Sequence, residues 1–373
     1  MRTLAVLALA SCGRIGFGAT DDAGGGGSGI VDALAIDAPP IQDLACNTPV
    51  VLGPVTPITG RLWVAAAESL DGLAIVYAAD EVRAVEVNLR GAIPTVSPDV
   101  LLGAVSLANL QVTWLDDRLL VGGNEGAGTT LLMRDPHLGE IATRNYPNFF
   151  VTSSQHSMRA KPGRAVLAGL GTGTFRLVDV DETGNIATPT DLVIANVGSP
   201  GISPLFDGTY AAVWTTNGTT SNLGFFDANL VMSTPITVPY TPCRYPRVAP
   251  TNDNDHVAIT CICTSGCTPS TVYSRVATTF TPQVNLSNTA VAPTRSIATS
   301  AGFWTAYPSS PGTGAVRFGD LAGQLTPVKT LGTIPAIADG FGYEVVVRDD
   351  DRAYAVWIDS VTAPVLRMMQ LCP

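Results

Sequence analysis

Seven cysteines, three histidines and a series of spaced arginines are the side chains in this sequence best suited to chemistry. The histidines, His137, His156 and His256, lie far apart. The chain has no G-x-S-x-G elbow, no H-E-x-x-H pair and no P-loop. No catalytic residue and no cofactor follow from it. The acidic runs "TNDND" (251–255) and "RDDDR" (348–352) offer oxygen ligands of the kind Ca²⁺ takes. Neither fits the EF-hand loop, and each falls where a hairpin turn is required. Solvated turns are the expectation, and no metal site is assigned.

Two constellations point to binding. Arginine recurs ahead of short apolar segments: Arg61 in "TGRLWV", Arg159 in "SMRAKP", Arg247 in "YPRVAP" and Arg295 in "PTRSIA". The planar guanidinium fork suits carboxylate or phosphate. Gathered at one channel mouth, these arginines would form an anion site, for an acidic glycan among other ligands. Paired singly with neighbouring Asp or carbonyl groups, they would be structural. The second constellation is "NYPNFFVTSSQHS" (145–157). There Tyr146, Phe149, Phe150 and His156 could stack on a sugar or grip a peptide, or else pack onto the next unit.

The chain carries 21 Lys and Arg against 31 Asp and Glu, which argues against the basic footprint that nucleic-acid binding needs. Only 14% of residues are charged, while 37 are Gly and 27 are Pro, a balance suited to short strands and many turns. The opening "MRTLAVLALASC" has one basic residue, Arg2, then an apolar stretch too short to span a bilayer. Residues 1–11 read as a secretory signal. The tetrapeptide Leu9-Ala10-Ser11-Cys12 resembles the bacterial lipobox, in which small residues precede a cysteine that is lipidated and becomes the new N-terminus. The resemblance implies a lipid on Cys12 and export to the cell envelope, with the outer membrane as the expected location. Residues 12–45 are then the lipidated cysteine and a Gly/Asp/Ala-rich tether too poor in apolar periodicity to fold. Such a chain spans on the order of 30 Å. The membrane is a partner through the lipid, and the folded body is expected to be monomeric.

With Cys12 set aside, Cys46, Cys243, Cys261, Cys263, Cys267 and Cys372 remain, and an even set in an exported chain favours disulfides. Cys243 and the three cysteines of "CICTSGC" permit three connectivities, which the sequence leaves open. A Cys₄ zinc site is the alternative. Its C-x-C-x₃-C spacing is not that of the usual knuckle.

The elements that would position these groups recur. Seven apolar segments follow one another at about 46 residues: "LAIVYA", "LLVGG", "AVLAG", "AAVWT", "VAITC", "FWTAY" and "YAVWI". Each follows a polar or Gly turn. In "SMRAKPGRAVLAGLGTGTFRLVDVDETGNIATPTDLVIAN" the unit reads as strand, turn, buried strand, Gly loop, alternating strand, turn and strand. Four-stranded units at this period are β-propeller blades. The expectation is an all-β propeller of seven four-stranded blades over residues 46–373. The last unit stops short of its outermost strand, and "CNTPVVLGPVTPI" (46–58) resembles the missing piece. Residues 47–58 are therefore expected to complete the last blade and bring Cys46 beside Cys372, a bond that could add roughly 4–5 kcal/mol.

The whole is similar to bacterial lipoproteins with repetitive β-propeller bodies, whose "VW…LD-x-x-G" repeats set the fold without setting a function. The expected function is non-enzymatic binding or scaffolding by a surface-anchored lipoprotein, with a protein partner or anionic glycan as ligand. One alternative is a propeller glycoside hydrolase, which needs two carboxylates facing each other across the channel. The acids here fall mostly in turns such as Asp116 and Asp117. The other alternative is a subunit of an envelope or secretion complex.

Overall fold

The computed structural model describes residues 41–373 apart from short connecting segments, of which 58–61, 148–156, 194–200, 205–209, 239–242, 252–255, 264–269, 288–294 and 335–341 are the longest. Residues 1–40, and with them Cys12 and most of the segments expected to be a signal and a tether, lie outside the described residues. Among the described residues the strands form seven antiparallel sheets. Their first strands are Trp63–Ser69, Ala108–Leu115, Ser157–Lys161, Gly201–Pro204, Cys243–Pro250, Arg295–Ala298 and Tyr343–Val347. Each lies beside the first strand of the next sheet, and Tyr343–Val347 lies beside Trp63–Ser69, so the cycle closes. First strands line the axis, and the later strands of each blade step outward.

The recurring apolar runs are the second strands. Gly72–Ala78 and Ala353–Ile358 are buried at every residue. A second strand has a strand on either side and a neighbouring blade on either face, so nothing selects for alternation. The third strand Thr174–Val180 alternates in part, and the outer strand Glu140–Tyr146 has no buried residue. Burial therefore falls with radius.

Blades pack face to face through the period of two. Trp63, Ala65 and Ala67 join Leu110, Val112 and Leu119 of the second blade, whereas Val64 joins Tyr354 and Val356 of the last. Trp304 and Trp357 fill the junction of the sixth and seventh blades. Phe175 and Trp214, with centroids 5.8 Å apart, fill that of the third and fourth. Polar staples cross the same boundaries. Tyr146 donates its hydroxyl to Gly184 O at 2.7 Å, and Ser300 N donates to Asp351 Oδ1 at 2.9 Å. Buried Arg348 lies 3.1 Å from Glu68 and donates to Ser69 O at 3.0 Å.

Turns repeat as well. After the third strand, Asp135, Asp181 and Asp227 each accept backbone N–H bonds from the residues two and four ahead, at 2.8–2.9 Å. Asp320 accepts one from Gln324 N at 2.6 Å. A carboxylate here satisfies amides that the turn would otherwise leave unpaired. The "RDDDR" run is also a turn: Arg348 N donates to Arg352 O at 2.9 Å, and Asp351 takes a φ of 65°.

The two chain regions meet as the sequence leads one to expect. Val50–Pro54 is the outer strand of the last blade, antiparallel to Val365–Leu371, with Val50 opposite Met368 and Pro54 opposite Val365. Cys46 and Cys372 are bonded, with Cα atoms 5.5 Å apart and a sequence separation of 326. Asn47 duplicates the lock. Its Oδ1 accepts from Cys372 N at 3.2 Å, its Nδ2 donates to Cys372 O at 3.1 Å, and its backbone N donates to Gln370 O at 2.8 Å.

Candidate functional site

Strand direction alternates within a blade. Blade-to-blade links, the starts of first strands and the turns between second and third strands therefore share one face, the link face. Arg159, Arg247 and Arg295 lie on first strands, whereas Tyr146 ends the outer strand Glu140–Tyr146. The register separates the arginines. Arg247 lies opposite Thr260 and Arg295 opposite Ala306, equivalent residues of their blades. Arg159 lies opposite Val166, two residues nearer the first hairpin, a step of about 6–7 Å. The three do not share a level.

The Arg295 side chain is committed elsewhere: it is 2% exposed, with Nε 3.4 Å from Glu344 Oε2 on the next first strand. First strands thus carry carboxylates as well as arginines, and both Glu344 and Glu68 are held by an arginine across a blade boundary. Tyr146 is half-buried, and burial raises its hydroxyl pKa. Arg61, Phe149, Phe150 and His156 lie outside the described residues. In the fifth blade Cys243 lies directly opposite Cys263, with Cys261 two residues back on the same strand; Cys267 lies outside the described residues.

Sequence reasoning missed a cleft of about 160 Å³ on the link face at the ring seam. It is lined by Thr56 and Pro57 of the link leaving Val50–Pro54, by Tyr77 and Ala79 at the end of Gly72–Ala78, and by Asp80, Glu81 and Arg83 of the following turn and strand. Ala104 completes the lining. Asp99 backs it. The outer position of this blade is split into Thr95–Val96 and Val100–Gly103, both paired with Val82–Asn88. The interruption is Ser97-Pro98-Asp99, where proline has no N–H to give the ladder.

Asp99 Oδ2 accepts the Thr56 hydroxyl at 2.5 Å, the Tyr77 hydroxyl at 2.5 Å and Thr56 N at 3.2 Å. Arg83 Nη1 lies 3.5 Å from the same oxygen, while Arg83 Nε donates to Glu81. Burial, then the hydrogen bond to Asp99, raises the Tyr77 pKa, so its hydroxyl stays protonated as a donor. The bond to Glu81 raises the Arg83 pKa and keeps it charged. Two local signals hint at this site: "SPD" breaking an outer strand, and the charged turn "DEVR". Nothing local signals Thr56, which arrives from the other side of the seam.

No family model and no curated protein matches this sequence. Solved structures do match. A lectin from Burkholderia pseudomallei, BP39L, is 12% identical over 84% of this chain and 97% of its own, with a TM-score of 0.61. A protein from Lactobacillus plantarum is 13% identical over 78% of this chain and 88% of its own, at 0.53. The Dos1 propeller is 13% identical over 82% of this chain and 76% of its own, at 0.50. At these identities the likeness is one of fold. The chain is an all-β propeller.

Proposed function

We propose that this chain is an exported, surface-anchored propeller that binds a ligand or scaffolds a partner on its link face, without a catalytic role. One observation supports this best: a small polar cleft whose charged groups are already tied to one another. Glu81 holds Arg83, and Asp99 holds Thr56 and Tyr77. Groups committed in this way suit recognition, since a general acid or base needs a proton free to move near neutrality. The Cys46–Cys372 bond supports an oxidising compartment and hence export. Lipidation of Cys12 would place the ring on the outer membrane at the end of its tether.

Two measurements test this reading. Fatty-acid labelling in the native envelope should mark the protein, and Cys12→Ala should abolish the label and release the chain; a label that survives the substitution would refute the anchor. Full-length protein in detergent should retain envelope polysaccharide or a protein partner on beads, and Ala104→Trp, which fills the cleft, should reduce that retention. Unchanged retention would place binding elsewhere on the ring.

A further inference from the structure

We infer that the Cys46–Cys372 bond is a mechanical junction. It passes a pull arriving from the N-terminal side to the C-terminal strand, and so shields the outer strand and the seam cleft behind it. Its use rests on the reading that the chain is anchored through Cys12.

Order along the chain comes first. Such a pull meets Asp43 and Leu44, then Cys46 and Asn47, and only afterwards Val50–Pro54 and the Thr56 and Pro57 of the cleft. Asp43 Oδ1 lies 2.8 Å from Nε of Arg352, in the turn joining the first two strands of the last blade. The chain therefore enters the ring on the face opposite the cleft, and Val50–Pro54 runs from one face to the other.

The two strands that could take the pull differ. Val50–Pro54 is an edge strand with no buried residue. Its one ladder shifts register between Val51 and Gly53, and Pro54 has no N–H to give it. Val365–Leu371 is paired on both sides and lies opposite every residue of Ala353–Ile358. It buries Leu366, Met368, Met369 and Leu371. Displacing it would break a longer ladder and bring those side chains into water.

Cys372 is also braced. Lys329 of the sixth blade donates its ammonium to Cys372 O and stands 5.3 Å from the ring centre of buried Trp304. Asn47 grips the same residue from the other side. Ahead of the bond, buried Leu44 donates its N–H to Gln370 Oε1 at 2.7 Å, on the same C-terminal strand. A pull at Cys46 is thus shared by two blades, while Thr56 and Pro57 feel none of it.

The test is single-molecule pulling of the full-length protein between azide-bearing residues placed at Ser28 and at Ser310, the latter exposed on the link face of the sixth blade. The oxidised protein should show no extension before a blade opens. Cys46→Ser should add an early step at lower force, the release of about fifteen residues or roughly 50 Å of contour. Reducing the folded, unsubstituted protein should give the same step without any refolding. That step in the oxidised protein, or its absence from both the substituted and the reduced protein, would overturn the inference. An oxidised protein free of the step but carrying no lipid on Cys12 would bear out the junction and sink the anchored reading alone.

Discussion

Asp99 shows how much one side chain can organise. A single oxygen takes two hydroxyl donors and one amide drawn from both sides of the seam. Bonds to an ionised acceptor are the stronger kind. Asp99→Asn should therefore cost about 1–2 kcal/mol in urea unfolding with the m-value unchanged; no loss would mean that the Thr56 and Tyr77 hydroxyls find equivalent partners without the charge. The tyrosines give a pH signature. Burial is the main cause pushing Tyr210 and Tyr354 up to about 12, whereas in the unfolded chain they ionise near about 10. Below the unfolded value both states hold the proton and neither tyrosine affects stability. As pH rises from there toward the folded value, only the unfolded state releases it, so stability falls. Thermal unfolding across the alkaline range should show this decline, and Tyr210→Phe should lessen it; an unchanged slope in that variant would exclude Tyr210 as a source.

At the scale of elements, the repeated aspartate turn is a local device with a local cost. Asp181 binds the Thr183 and Asn185 amides. Desolvation opposes its ionisation, but these bonds and the Thr183 hydroxyl outweigh it and hold its pKa below the usual value. Asp181→Ala should destabilise by about 1 kcal/mol, read as a lower denaturation midpoint, and Asp181→Asn by less; equal losses in the two would argue against the side-chain oxygen as the agent. In the fifth blade the strand register predicts a Cys243–Cys263 bond, leaving Cys261 for Cys267. Cys261 and Cys263 are two apart on one strand, roughly 6.6 Å between Cα atoms, at the limit a disulfide spans. Non-reducing peptide mapping decides it, and a Cys243–Cys267 link would refute the register argument. That register was hidden in the sequence because the pairing shifts between Arg244 and Arg247. A first hairpin two residues longer in the fifth blade, between Pro250 and Val257 against Ala298 and Phe303, lets Arg247 match Arg295 in level although their spacing is not that of the apolar segments.

For the whole molecule, closure is the decisive event. The disulfide ties residues 326 apart, and in the chain-entropy model a loop of that size is worth roughly 6 kcal/mol before any strain. Cys46→Ser with Cys372→Ser should lower the melting temperature and let limited proteolysis remove the Val50–Pro54 strand ahead of the other blades. If the doubly substituted protein melts unchanged, the Asn47 bonds and strand pairing hold the seam by themselves. Opening the seam should also abolish the cleft, since Thr56 and Pro57 belong to the strand link that would leave.

The blade repeat, the completion of the last blade by the N-terminal strand and the Cys46–Cys372 bond were legible in the amino-acid order. They depend on periodic burial of second strands and on a unit visibly short of one strand, both written locally. The level of each arginine, the pairing of Arg295 with Glu344 and the cleft at Asp99 were not. Arg295 and Glu344 belong to successive first strands, and Thr56 and Asp99 stand 43 residues apart on different blades. Local pattern fixes which face of a strand is apolar. Which polar side chains then face one another is decided only when the ring closes and blade packs against blade.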